Sequence, residues 1–160
     1  MTDIGAVGTT DGPPSGTPGP AAGRLGHVIK RAEQALIGRK THALREYGLT
    51  VPQYATLLLL STSDGMSAAQ LARECMVTPQ TMATVLANLE RAGLIERRSS
   101  ALHQKVLVNT LTARGRTLVH KADEAALRVE RALGAAFTEE ERRLFEAFLD
   151  RAVTTLNGLP

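Results

Sequence analysis

The chain has 160 residues, a formal net charge of +3, 43% hydrophobic but only 3% aromatic side chains, and one cysteine. It has room for one domain with a helical extension and too little for two independent cores, and that core must be built from Leu, Val, Ala and Ile. A lone cysteine excludes a disulfide framework and a multi-cysteine zinc site, so a cytoplasmic location is expected. The apolar run from Ala55 to Leu60 is far short of the roughly 20 residues that span a bilayer, and no basic flank with an apolar stretch marks a signal peptide.

Residues 1 to 20 carry five Gly and four Pro, with Ile4 and Val7 as the only strong hydrophobes, and residues 1 to 22 are expected to be a disordered tail. From about Arg24 the pattern turns helical: Leu25, Val28, Ile29, Ala32, Leu36 and Ala43 recur at spacings of three, four and seven, and Gly48 supplies a stop. Thr50 can cap the next helix, with Pro52 in its first turn, and Asp64-Gly65 is turn chemistry. Ser67 with Gln70 has capping-box spacing for a short helix that should end near Cys75. Thr78-Pro79 opens another, with Met82, Val85, Leu86 and Leu89 as its apolar stripe and Gly93 as its stop. Leu94 to Arg98 and Val106 to Leu111 read as two short strands of a hairpin whose tip carries His103 or Lys105. Thr112 caps a long helix to about Phe137, and Thr138 with Glu141 repeats the capping box before a last helix carrying Leu144, Phe145, Phe148, Leu149, Val153 and Leu156.

The segment from Leu71 to Val85 carries the functional signal, because its small and apolar residues fall where a helix-turn-helix needs them. Leu71 and Cys75 are expected to face inward, Ala72 permits a close crossing, Val77 plugs the turn, and Met82 and Val85 pack the second helix from beneath. At 100° per residue the other face then presents Gln80, Thr81, Thr84, Asn88 and Arg91. Amides can address adenine edges, threonine offers a hydroxyl and a methyl, and arginine can hold phosphate or guanine. Polar residues on an outer face are usually just solvated. Here a capped short helix, a minimal turn, a Thr-Pro start and a basic hairpin within about 45 residues favour DNA binding jointly. The expected interface is Ser67, Thr78, Gln80, Thr81, Thr84, Asn88, Arg91, Arg97, Arg98, His103 and Lys105.

From about residue 24 to 157 the chain resembles the MarR family of winged-helix transcription regulators. The resemblance rests on Leu49 to Tyr54, on Leu71-Ala72 and Val77 to Thr81, on Leu89 to Arg97 entering the wing, and on Leu111-Thr112 leaving it. It implies a mostly α fold with an α+β wing. A winged helix-turn-helix DNA-binding lobe would occupy 49–111, and a helical dimerisation region 23–48 and 112–160. It also implies a homodimer whose first and last helices interlock on a palindromic operator in double-stranded DNA, acting as a repressor. Two positions depart from the family. His103 and Lys105 stand where many relatives carry an Asp-x-Arg pair, so the wing cation lacks its acidic brace. Met76 stands where many place glycine in the tight turn.

Tyr54, His42 and Arg45 are candidates for lining the cleft that relatives use for a small aromatic effector; a structural tyrosine is the plainer reading. Cys75 could sense oxidants, but a predicted core position argues for packing. No histidine pair has metal-ligand spacing, no cofactor motif, nucleophile elbow or phosphate loop occurs, and Glu139-Glu140-Glu141 complements a helix dipole; no enzyme activity is expected. The rival function is a winged-helix protein-docking module, since a charge of +3 does not demand nucleic acid.

Overall fold

In a computed structural model, residues 23–99 and 107–160 are described. The chain divides into two units, residues 1–34 and 35–160. Helix α1 (Leu25–Leu44) begins in the first and continues into the second, then tightens into a 3-10 turn at Arg45–Tyr47 that Gly48 ends in the left-handed conformation, φ +66°. The rest of the larger unit is α2 (Val51–Ser61), α3 (Ala68–Glu74), α4 (Pro79–Arg91), strands β1 (Ile95–Ser99) and β2 (Leu107–Leu111), α5 (Ala113–Gly134) and α6 (Glu139–Asn157). The expected tail, residues 1–22, and the hairpin tip, residues 100–106, lie outside the described residues.

Local chemistry starts each helix. Thr50, Ser67 and Thr138 accept from the backbone amides of Gln53, Gln70 and Glu141, whose side chains return the bond to the cap's own amide, so two orphan donors are satisfied at each start. Thr78 and Thr112 cap α4 and α5 through the amides of Thr81 and Gly115. Pro52 and Pro79 sit in first turns, where a missing amide proton costs nothing.

The core forms around α2. Its Tyr54, Thr56, Leu57 and Leu60 are buried with Leu71 and Ala72 of α3, Met82, Val85, Leu86 and Leu89 of α4, and Val119, Ala122 and Ala126 of α5. Thr56 is tolerated there because its hydroxyl donates to the Pro52 carbonyl at 2.8 Å, which removes the desolvation penalty of an unpaired group. Strands β1 and β2 pair antiparallel with Ile95 opposite Leu111 and Arg97 opposite Asn109. Met66 adds a one-residue bridge to buried Asn109, whose side-chain amide also donates to the Met66 carbonyl at 3.0 Å, so the loop between α2 and α3 is stapled to the hairpin.

Two expectations need correction. The long helix stops at Gly134, three residues before Phe137, because Phe137 leaves the helix to stack on Phe145 of α6 with ring centroids 5.6 Å apart. Cys75, the C-cap of α3, packs against the core as expected but is half-buried rather than fully buried. No helix among the described residues is long and apolar enough to cross a membrane.

Candidate nucleic-acid interface

The two helices of the helix-turn-helix are joined by three residues before the Thr78 cap. Met76 takes φ +53°, so the left-handed turn is kept despite the missing glycine, at a strain on the order of 1 kcal/mol. Its side chain is 91% exposed, which leaves room for a long residue there. Val77 closes the turn with its amide donating to the Ala72 carbonyl at 3.0 Å and its side chain against the core.

Helix α4 separates its faces cleanly. Met82, Val85, Leu86 and Leu89 are buried, while Gln80, Thr81, Thr84, Asn88 and Arg91 are all exposed on the other side. Several of these groups are already oriented. The Thr81 hydroxyl lies 2.9 Å from that of Thr78, the Thr84 hydroxyl donates to the Gln80 carbonyl at 3.2 Å, and Arg91 donates to Asn88 Oδ1 at 2.9 Å. With Pro79 at the first helical position, α4 presents its N-terminus to solvent, as does α3 beside Ser67, which is held by Gln70.

The wing cations have protein partners. Arg97 pairs with Glu90 of α4 at 3.4 Å, and Arg98 pairs with Glu96. Both pairs are exposed and worth at most about 1 kcal/mol, so a phosphate can displace either carboxylate. The structure thus brings Gln80, Thr81, Thr84, Asn88, Arg91, Arg97 and Arg98 onto α4 and the adjoining strand, with Ser67 and Thr78 at the helix starts. His103 and Lys105 lie outside the described residues.

The three residues expected to line an effector cleft differ in exposure. His42 and Arg45 are exposed, whereas Tyr54 is buried and its hydroxyl donates to Asp123 Oδ1 of α5 at 2.6 Å. Burial, and then the Asp123 carboxylate, push the phenol well above its ordinary pKa, so it stays protonated and tethers α2 to α5. An open cleft of about 200 Å³ beside this tether is lined by Leu58, Ser61, Arg116, Val119, His120 and Asp123. These residues were missed, although a carboxylate one position from Ala122 in the buried stripe of α5 is a readable signal of a buried partner. Burial pushes the Cys75 thiol up, its hydrogen bond with Thr56 opposes that, and Glu74 adds to the rise, so reactive thiolate is scarce. No group of three His, Cys, Asp or Glu placed to hold a metal occurs among the described residues.

A family model described as "MarR family" matches residues 47–105. The HTH-type transcriptional repressor Rv2887 of Mycobacterium tuberculosis is 39% identical over 127 residues, covering 79% of this chain and 91% of that protein. A crystal structure of that Mycobacterium tuberculosis protein with DNA superposes with a TM-score of 0.62 at 37% identity, covering 80% of this chain and 96% of that one. Another, with salicylic acid, gives 0.63 at 38% identity, covering 80% and 95%.

Proposed function

The chain belongs to the MarR family, and from that premise we propose a cytoplasmic, non-enzymatic repressor that binds double-stranded DNA as a homodimer, placing two copies of α4 in successive major grooves of a palindromic operator. The observation that carries this reading is the exposed row Gln80, Thr81, Thr84, Asn88 and Arg91 on a helix whose other side is sealed. Base discrimination falls to that row. Ser67 and Thr78 at the helix starts, Arg97 and Arg98 on β1, and His103 and Lys105 in the sequence between the two strands supply contacts to phosphate or the minor groove. The repressor name and the DNA complex of the mycobacterial relative support the same reading.

Release by a small acidic aromatic is the second part of the proposal. The relative's salicylic acid complex supports it, as does a cleft whose lining includes Arg116, His120 and the tethered Asp123. Two half-sites one turn apart, about 34 Å, tolerate little change in the spacing of the reading helices, and a ligand wedged between α2 and α5 changes that spacing.

The test is fluorescence anisotropy on a labelled random duplex at low and then high salt. Binding should weaken steeply as salt rises, because each phosphate neutralised releases a counterion. A signal unaffected by salt would favour the protein-docking alternative. On a selected operator, salicylate should release the protein. Arg97→Ala should weaken binding to all sequences alike, whereas Thr81→Ala should change which sequences are preferred.

A further inference from the structure

The outward row of α4 holds two threonines, and a threonine offers DNA two different handles: a hydroxyl that hydrogen-bonds either way and a methyl that packs on the C5-methyl of thymine. In Thr84 the hydroxyl is already used. It donates to the Gln80 carbonyl one turn back, at 3.2 Å, although the residue is exposed. A hydroxyl has one proton, and this one is spent on the backbone. The same bond draws the oxygen down into the preceding turn, so the other branch of the β-carbon, the methyl, is the group left to project from the helix surface. The neighbouring polar groups divide the work differently. Asn88 accepts from Arg91 through its carbonyl at 2.9 Å, which leaves its amide to donate, and the Thr81 hydroxyl is paired with that of the Thr78 cap at 2.9 Å.

From this arrangement we propose that Thr84 is a specificity-determining residue that selects thymine through its methyl group and not through its hydroxyl. The inference rests on α4 being the reading helix and adds what one position of it reads: an A·T pair in each half-site, oriented with its thymine methyl against the Thr84 methyl. To address a base with its proton the hydroxyl would first have to leave the Gln80 carbonyl, whereas the methyl contact requires no rearrangement.

The experiment uses the full chain and a consensus duplex obtained by selection from random sequence. Each thymidine is replaced in turn by deoxyuridine, which removes only the 5-methyl, and affinity is read by anisotropy for the wild type, Thr84→Val and Thr84→Ser. One thymidine per half-site should weaken wild-type binding about threefold to fivefold when its methyl is removed, the worth of one buried methyl. Thr84→Val should bind as the wild type does and show the same penalty. Thr84→Ser should bind the consensus more weakly by a similar factor and ignore the substitution. A consensus whose affinity is indifferent to every deoxyuridine, or a loss of preference in Thr84→Val with its retention in Thr84→Ser, overturns the methyl assignment and leaves α4 as the reading helix. A selection that yields no consensus overturns the reading helix itself, and the assignment with it.

Discussion

Gly115 shows how a single missing side chain positions the interface. It is buried in the first turn of α5, and a β-carbon there would lie 2.0 Å from the Leu94 carbonyl oxygen, a backbone atom that cannot swing aside. Thr112 fixes the same junction from the other side, its amide donating to the Leu94 carbonyl at 3.1 Å and its hydroxyl to the Gly93 carbonyl at 2.8 Å. Gly115→Ala should therefore force α5 away from the start of the hairpin and destabilise the protein by about 3 kcal/mol, read as a fall in the urea midpoint. An unchanged midpoint would mean that the junction yields freely. Cys75 gives a second test at this scale. Because burial raises its thiol, iodoacetamide should label it more slowly than a free cysteine at pH 8, and the rate should keep climbing at pH values where an ordinary thiol has levelled off. Labelling as fast as a free thiol at pH 8 would revive oxidant sensing at this position.

At the level of elements, the α4 cap joins stability to recognition. Thr78 accepts from the Thr81 amide at 3.1 Å, so Thr78→Ala should cost about 1 kcal/mol by urea unfolding and, on the proposed docking, weaken DNA binding on every sequence alike by fraying the start of α4. A shift in sequence preference instead would place Thr78 among the base readers. Such caps were legible in the sequence because both partners lie within four residues: Ser67 with Gln70, Thr138 with Glu141, and Thr50 as the cap before Pro52, although the return bond from Gln53 was not read. The polar face of α4 was legible for the same reason, since helical periodicity alone separates Thr81 and Thr84 from Met82 and Val85. What stayed hidden depends on partners remote in the chain. The Tyr54 bond to Asp123 spans 69 positions, the end of α5 is decided by a ring on α6, and the need for glycine at 115 exists only once Leu94 has been brought beside it. The cleft beside the Tyr54 bond joins one face of α2 to one face of α5 and was hidden for the same reason.

On the scale of the molecule, α6 presents the largest debt of exposed apolar surface. None of its 19 residues is buried, and Leu144, Phe145, Phe148, Leu149, Val153 and Leu156 stand in solvent, Phe148 at 53% and Leu156 at 63% exposure. These residues recur at helical spacings and so form one stripe, the kind of apolar surface that a helix of a second copy would cover. Phe148→Glu places a charge in the middle of that stripe. It should convert the protein from dimer to monomer in sedimentation, and it should leave the helical circular dichroism largely intact, because the core around α2 draws nothing from α6. DNA binding then separates the causes. A monomer carries one reading helix and loses the gain from engaging two half-sites together, so affinity for a full palindrome should fall by about a hundredfold to the level of a single half-site. Were the Phe148→Glu protein to remain a dimer, the stripe would not be the interface. Were it to become a monomer and still hold the palindrome as tightly as the wild type, the two reading helices would not be acting as a pair.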